Sequence, residues 1–200
     1  MTVRVKLREK IASRFNRQGS LKFAQAIFSD PRRTGAVAPS SSHLARVMAE
    51  NAYIQPDGKL LELGPGTGSI TKALVKAGVS EENLVLLELD DGFADYLAKK
   101  YPKATILQKD AFEAVADFKA DGTMFTSVVS GLPLINQPKH KRAQIARDAL
   151  DIIVPEGSFV QFTYQVYSPV PRDDAIIATR SRRIWGNIPS AVVWKYQRAG

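Results

Sequence analysis

The chain has 200 residues, 44% hydrophobic and 24% charged, which gives room for one α/β domain with a sizeable core and excludes a disordered or fibrous protein. It has no cysteine, so disulfides, thiolate metal sites and thiol nucleophiles are excluded, and no apolar run reaches the roughly 18 residues that cross a bilayer. The formal charge is +8, and nearly all of it stands at the front, where residues 1–33 hold nine basic and two acidic side chains. Such an excess suits an anionic partner, lipid or nucleic acid, and composition does not choose between them. The front also lacks the apolar core of a signal peptide, so any membrane contact is expected from the surface.

In chain order, two helices are predicted first, over about residues 3–18 and 21–28, separated by Gly19, with Ser20 as a cap and Asp30-Pro31 as a stop. At about 100° per residue, Leu7, Ile11 and Phe15 form one narrow stripe, flanked by Lys6, Arg8, Lys10 and Arg17. Arg4 and Arg14 fall inside the apolar arc, where their long stems can snorkel. The pattern is that of a helix marginal in water that becomes ordered on an anionic surface. After the loop PRRTGAVAPSS, Ser41 or Ser42 is expected to cap a helix carrying Leu44, Val47 and Met48.

From Lys59 onward short apolar runs alternate with helical segments. Strands are predicted at 59–63, 83–89, 104–108 and 124–130, with helices over SITKALVKAG (69–78) and DGFADYLAKKYP (91–102). A helix over about 139–152, a strand at 158–164 and a hairpin of 175–185 with 191–196 follow, the hairpin turning at GNIPS (186–190). Alternating β and α gives a parallel sheet with helices on both faces, and the hairpin adds an antiparallel strand at one side.

LLELGPGTGSIT (60–71) is the most informative stretch: a buried strand ends at Leu63, glycines follow at 64, 66 and 68, and a helix starts at once. The dinucleotide fingerprint needs its third glycine where Ser69 stands. Glu62, two residues before Gly64, would repel a pyrophosphate but attract an ammonium group. Glu88 ends the next strand, placed for a pair of ribose hydroxyls, and Asp110 follows the third strand, placed for an adenine amino group. A ligand with an amino acid, a ribose and an adenine but no phosphate is S-adenosylmethionine.

The E-x-G-x-G-x-G pattern resembles class I methyltransferases, and residues 34–198 read as one copy of that fold: a Rossmann-like, seven-stranded, mostly parallel sheet with one antiparallel strand and helices on both faces. The resemblance implies that Glu62, Gly64, Gly66 and Gly68 cradle the methionine part, that Glu88 holds the ribose, that Asp110 and Ala111 flank the adenine, and that Ser130, Gly131 and Leu132 border the cofactor. It divides the chain into a basic arm, 1–33, and a methyltransferase domain, 34–200.

The methyl acceptor is expected where the fourth strand ends, at SGLPLIN (130–136). Enzymes that methylate adenine amino groups carry Asn/Asp-Pro-Pro-aromatic there, or Asn-Leu-Pro-aromatic in the ribosomal-RNA dimethylase group, and the ring stacks on the flipped base. Here Pro133 is kept, but Leu134 replaces the ring and Ser130 the polar clamp, so nucleic acid is disfavoured as a partner. RRTGAVAPSS (32–41), LELGPGTG (61–68), SGLPLIN and FVQFTY (159–164) together are similar to the small bacterial phosphatidylethanolamine N-methyltransferases. That resemblance implies stepwise methylation of phosphatidylethanolamine, through mono- and dimethyl forms, to phosphatidylcholine, by a cytoplasmic protein resting on the inner face of the cytoplasmic membrane.

Tyr164 and Ser130 are the candidate catalytic contacts. Phe15 and Tyr167 offer aromatic faces to a methylated ammonium, and Arg180, Arg182 and Arg183 could hold a lipid phosphate. The basic stripe Lys6, Leu7, Arg8, Lys10, Ile11, Arg14, Phe15 and Arg17 is the expected membrane contact. His43 and His140 are read as solvated, and no metal-ligand cluster is visible. Two other readings stand beside the lipid enzyme: a ribosomal-RNA adenine methyltransferase and a noncatalytic membrane-binding protein.

Overall fold

The computed structural model describes residues 39–185 and 190–200, with side chains from residue 42 onward. The helices expected over 3–18 and 21–28, and with them the whole basic stripe from Lys6 to Arg17, lie outside the described residues, as does the boundary drawn after residue 33.

The described helices are α1 (Pro39–Glu50), α2 (Ser69–Lys76), α3 (Asp91–Lys100), α4 (Ala111–Asp121) and α5 (Lys139–Asp151). The strands are β1 (Leu60–Leu63), β2 (Leu84–Leu87), β3 (Thr105–Leu107), β4 (Phe125–Ser130), β5 (Ile153–Thr163), β6 (Ile176–Arg180) and β7 (Val192–Arg198). They form one sheet in the order β3-β2-β1-β4-β5-β7-β6, in which β7 alone runs against its neighbours. This is the seven-stranded, mostly parallel sheet expected from the sequence.

Every residue of β1, β2 and β4 is buried, as continuous apolar runs require when helices cover both faces. Leu61, Leu63, Val128 and Phe159 pack with Val115 of α4 and Ile145 and Ala149 of α5. Leu60, Leu86, Val129 and Val160 pack on the opposite face with Met48 of α1, Leu74 of α2 and Leu97 of α3. The chain winds outward from β1 through β2 to β3, then returns to the other side of β1 as β4. That reversal opens a crevice at the carboxyl ends of β1 and β4, flanked by the loops that leave them.

Three local differences from the sequence reading have physical causes. Helix α1 starts at Pro39, ahead of both serines expected to cap it, and a first-turn proline loses no hydrogen bond there. Helix α4 was not singled out in the sequence, although Asp110 caps its start and Gly122, at φ +75°, ends it. Strand β5 begins five residues earlier than its apolar run, passing through Gly157 where the register against β4 shifts between Phe125 and Ser127. A Cβ on Gly157 would lie 2.2 Å from the Thr126 carbonyl oxygen, so only glycine permits that close passage.

Candidate active site

The loop leaving β1 turns through three left-handed glycines, Gly64 (φ +66°), Gly66 (φ +55°) and Gly68 (φ +75°), and no other residue type takes a positive φ among the described residues. Gly64 N–H extends the ladder to the Leu87 carbonyl at 2.9 Å, and Gly68 N–H closes on Pro65 O at 2.9 Å, so α2 starts at once. A Cβ on Gly66 would meet nothing within 4 Å, which leaves open space on that side of the loop. A Cβ on Gly64 would strike Leu132 Cδ2 at 2.7 Å, and one on Gly131 would strike the Gly64 carbonyl at 2.6 Å. Gly131 N–H also donates to Leu63 O at 2.8 Å. The loops after β1 and β4 therefore touch backbone to backbone.

Two carboxylates sit under this loop. Glu62 is fully buried in β1; its Oε2 accepts from Thr71 Oγ1 at 2.7 Å, and its Oε1 has no partner. Burial pushes its carboxyl up to about 8, against the Thr71 hydrogen bonds, and neighbouring Glu88 adds to the rise. Glu88 is 7% exposed just past β2, where Oε2 accepts from Gly66 N–H at 2.9 Å and Oε1 from Asp90 N–H at 3.0 Å. Each oxygen keeps a second lone pair, the requirement for a hydroxyl pair. Asp110 spends Oδ1 on capping α4, accepting from Phe112 N–H at 2.9 Å and Glu113 N–H at 3.3 Å, with Ala111 buried behind it. The fit to S-adenosylmethionine is good: an orphaned buried carboxylate oxygen answers an ammonium group, and an open glycine turn admits a bulky ligand to the backbone.

The β4 loop is braced from below. Ser130 is fully buried, and its Oγ accepts from Leu132 N–H at 3.3 Å, so the hydroxyl shapes the loop. The Leu132 carbonyl accepts from Leu134 N–H at 2.8 Å and from Gln161 Nε2 at 2.9 Å. Gln161, fully buried in β5 beside Ser130, also donates to Phe162 O at 2.8 Å and leaves Oε1 without a partner. Sequence reasoning missed it, and the signal was a lone amide inside the apolar run FVQFT (159–163). Leu134 is 1% exposed and belongs to the core.

Glu62, the three glycines, Glu88 and Ser130–Leu132 thus gather at the β1/β4 reversal. Tyr164 is half-buried just beyond β5, its ring edge-to-face with Phe162 at 5.5 Å. Tyr167 lies in the loop after β5, and the arginines stand at and just beyond the end of β6: Arg180 and Arg182 are exposed, and Arg183 lies 5.3 Å over the Trp185 ring. His43 and His140 are exposed, as expected. Phe15 lies outside the described residues. Among the described residues no three His, Asp or Glu gather as a metal site would require.

The family model for ribosomal RNA adenine dimethylase matches residues 40–141, half of the chain, and spans the glycine loop, Glu88, Asp110 and SGLPLIN. The chain belongs to that family. An ornithine lipid N-methyltransferase of Singulisphaera acidiphila is 28% identical over 145 residues, covering 70% of this chain and 76% of that protein. A ribosomal RNA small subunit methyltransferase A of Hydrogenobaculum sp. is 32% identical over 119 residues, covering 55% of this chain and 46% of its own length. The chain therefore spans less than half of that ribosomal-RNA relative.

Solved structures agree on the fold. A TehB-like S-adenosylmethionine-dependent methyltransferase of Corynebacterium glutamicum superposes with TM-score 0.59 at 15% identity, covering 91% of this chain and 99% of that one. Magnesium protoporphyrin IX methyltransferase of Synechocystis, solved with bound S-adenosylmethionine, gives 0.59 at 10% identity, covering 88% and 84%. This dimethylase-family chain is a methyltransferase, and its cofactor is S-adenosylmethionine.

Proposed function

We propose that this methyltransferase acts on lipid amines, converting phosphatidylethanolamine stepwise through mono- and dimethyl forms to phosphatidylcholine. The observation that carries this reading is Leu134: the position after the motif proline, where an adenine methylase needs a stacking ring, holds an aliphatic side chain buried at 1% exposure. A small alkylamine needs no stacking surface. The long overlap with a protein named for ornithine lipid methylation supports the same substrate class.

S-adenosylmethionine, when bound, supplies a methyl group on a positively charged sulfur, open to in-line displacement. In this proposal Glu62 receives the ammonium of the methionine part, Glu88 the ribose hydroxyls, and Asp110 with Ala111 borders the adenine. Ser130, Gly131 and Leu132 form the wall between donor and acceptor, and the Gly131–Gly64 contact fixes the spacing of the two loops. Gln161 holds the Leu132 carbonyl, and Tyr164, just beyond the end of β5, offers a ring face to the growing methylammonium. The basic arm, residues 1–33, keeps the enzyme at the inner face of the cytoplasmic membrane as a peripheral protein.

A second reading, methylation of adenine in ribosomal RNA, has the family match in its favour. Incubation with radiolabelled S-adenosylmethionine and mixed lipids, followed by thin-layer separation, distinguishes them. The lipid reading expects label in mono-, di- and trimethylated head groups. Label absent from every lipid spot would overturn it.

A further inference from the structure

The crevice edge continues across the sheet to a second surface with no role in holding the donor. Strand β5 ends at Thr163 opposite Val192, and the hairpin beyond it is closed by the bridge between Ile184 and Ala191. The segment after β5 and the hairpin end therefore emerge at the same edge as the glycine loop. The 164–170 segment is pinned: Ser168 Oγ lies 2.8 Å from the buried Tyr196 hydroxyl, and Arg142 Nη1 donates to Pro169 O at 2.7 Å. Arg180 Nη1 reaches Val166 O at 3.5 Å, joining the segment to β6.

From this fixed frame Val166 is 60% exposed, Tyr167 56% and Trp185 76%. Large apolar and aromatic side chains held in water on a rigid rim mark an interaction surface. Arg180 reaches Val166 O, Arg183 lies over the Trp185 ring and Arg182, between them in sequence, is exposed; neither 164–169 nor 180–185 contains an acidic residue. An indole and a phenol beside guanidinium groups, with an aliphatic neighbour, match the boundary of an anionic bilayer, where rings sit among head groups and arginines meet phosphates.

We infer that this rim is a membrane contact separate from the basic arm: Val166, Tyr167 and Trp185 enter the head-group layer of an anionic bilayer while the three arginines bind its phosphates. Docked in this way, the open edge of the sheet faces the lipid. The proposal rests on the lipid reading for its purpose, and its test is independent of turnover.

The chain has two tryptophans, so Trp194→Phe leaves Trp185 as the sole indole. The intact protein carrying that change is mixed, without donor, with vesicles of phosphatidylglycerol and phosphatidylcholine bearing brominated acyl chains. The expected result is a blue shift and quenching of Trp185 emission. In a second measurement, Trp185→Ala in the otherwise unchanged chain should weaken vesicle sedimentation by about tenfold. Vesicle-bound protein with unmoved, unquenched emission would overturn the inference, as would a blue shift with an RNA oligomer and none with vesicles. Methyl transfer to detergent-dispersed phosphatidylethanolamine, measured separately, reports on the lipid reading itself.

Discussion

Glu62 is the side chain whose chemistry is set most strongly by its surroundings. With its carboxyl pushed up to about 8 from 4.5, the folded protein holds a proton there that the unfolded chain has already lost. Its stabilising contribution is therefore whole below pH about 4.5, falls as pH rises through the window to about 8, and is gone above it. An ammonium beside the carboxylate favours the charged form, so binding S-adenosylmethionine at neutral pH should expel close to one proton. Titration calorimetry in buffers of different ionisation enthalpy measures that number, and Glu62→Gln should abolish it; binding with no proton release by the native chain would contradict the ammonium assignment. At Glu88 one hydrogen bond, from Gly66 N–H, holds the glycine loop, and a second, from Asp90 N–H, holds the loop after β2. Glu88→Ala should weaken cofactor binding by about a hundredfold or more, at roughly 1.5–3 kcal/mol per charged hydrogen bond, with the fold retained in circular dichroism. Calorimetry showing native affinity would remove the ribose role.

At the scale of elements, the two loops of the crevice behave as one unit because glycine faces glycine. Gly66→Ala has space in the free protein, so it should cost about 1–2 kcal/mol for the left-handed backbone, a fall in Tm of roughly 2–8 °C. Its methyl would project into the open side of the loop and lower donor affinity at least about tenfold. Gly131→Ala instead drives a Cβ against the Gly64 carbonyl and should separate the loops, lowering kcat and donor affinity together. If Gly66→Ala bound the donor as tightly as the native chain, the open side would not be the ligand side. The glycine spacing, Glu62 and Glu88 were legible in the sequence because each is a local pattern at a strand end. The cap at Asp110 is a local signal of the same kind, at the start of α4. Gln161 shows in the sequence only as a lone amide in an apolar run, and its hold on the Leu132 carbonyl, like the Gly131–Gly64 contact, depends on which strands become neighbours.

For the whole molecule, the division of charge is the central fact: +7 of the formal +8 precedes residue 34, and the rest of the chain is nearly neutral. Each basic residue near an anionic leaflet contributes about 1 kcal/mol, so removing residues 1–33 should weaken vesicle binding at least about a hundredfold and abolish most of its salt dependence. Cofactor binding should survive, since every described residue of the crevice lies beyond that point. Sedimentation at two salt concentrations checks the first expectation and calorimetry the second.

The substrate class is tested most directly by one competition: the intact enzyme, labelled S-adenosylmethionine, phosphatidylethanolamine vesicles and ribosomal RNA together in a single reaction, with the label then partitioned between lipid and nucleic acid. Label in the lipid phase, advancing through three successive methylated amines, is the predicted result. Label confined to dimethyladenosine in the RNA would contradict the account.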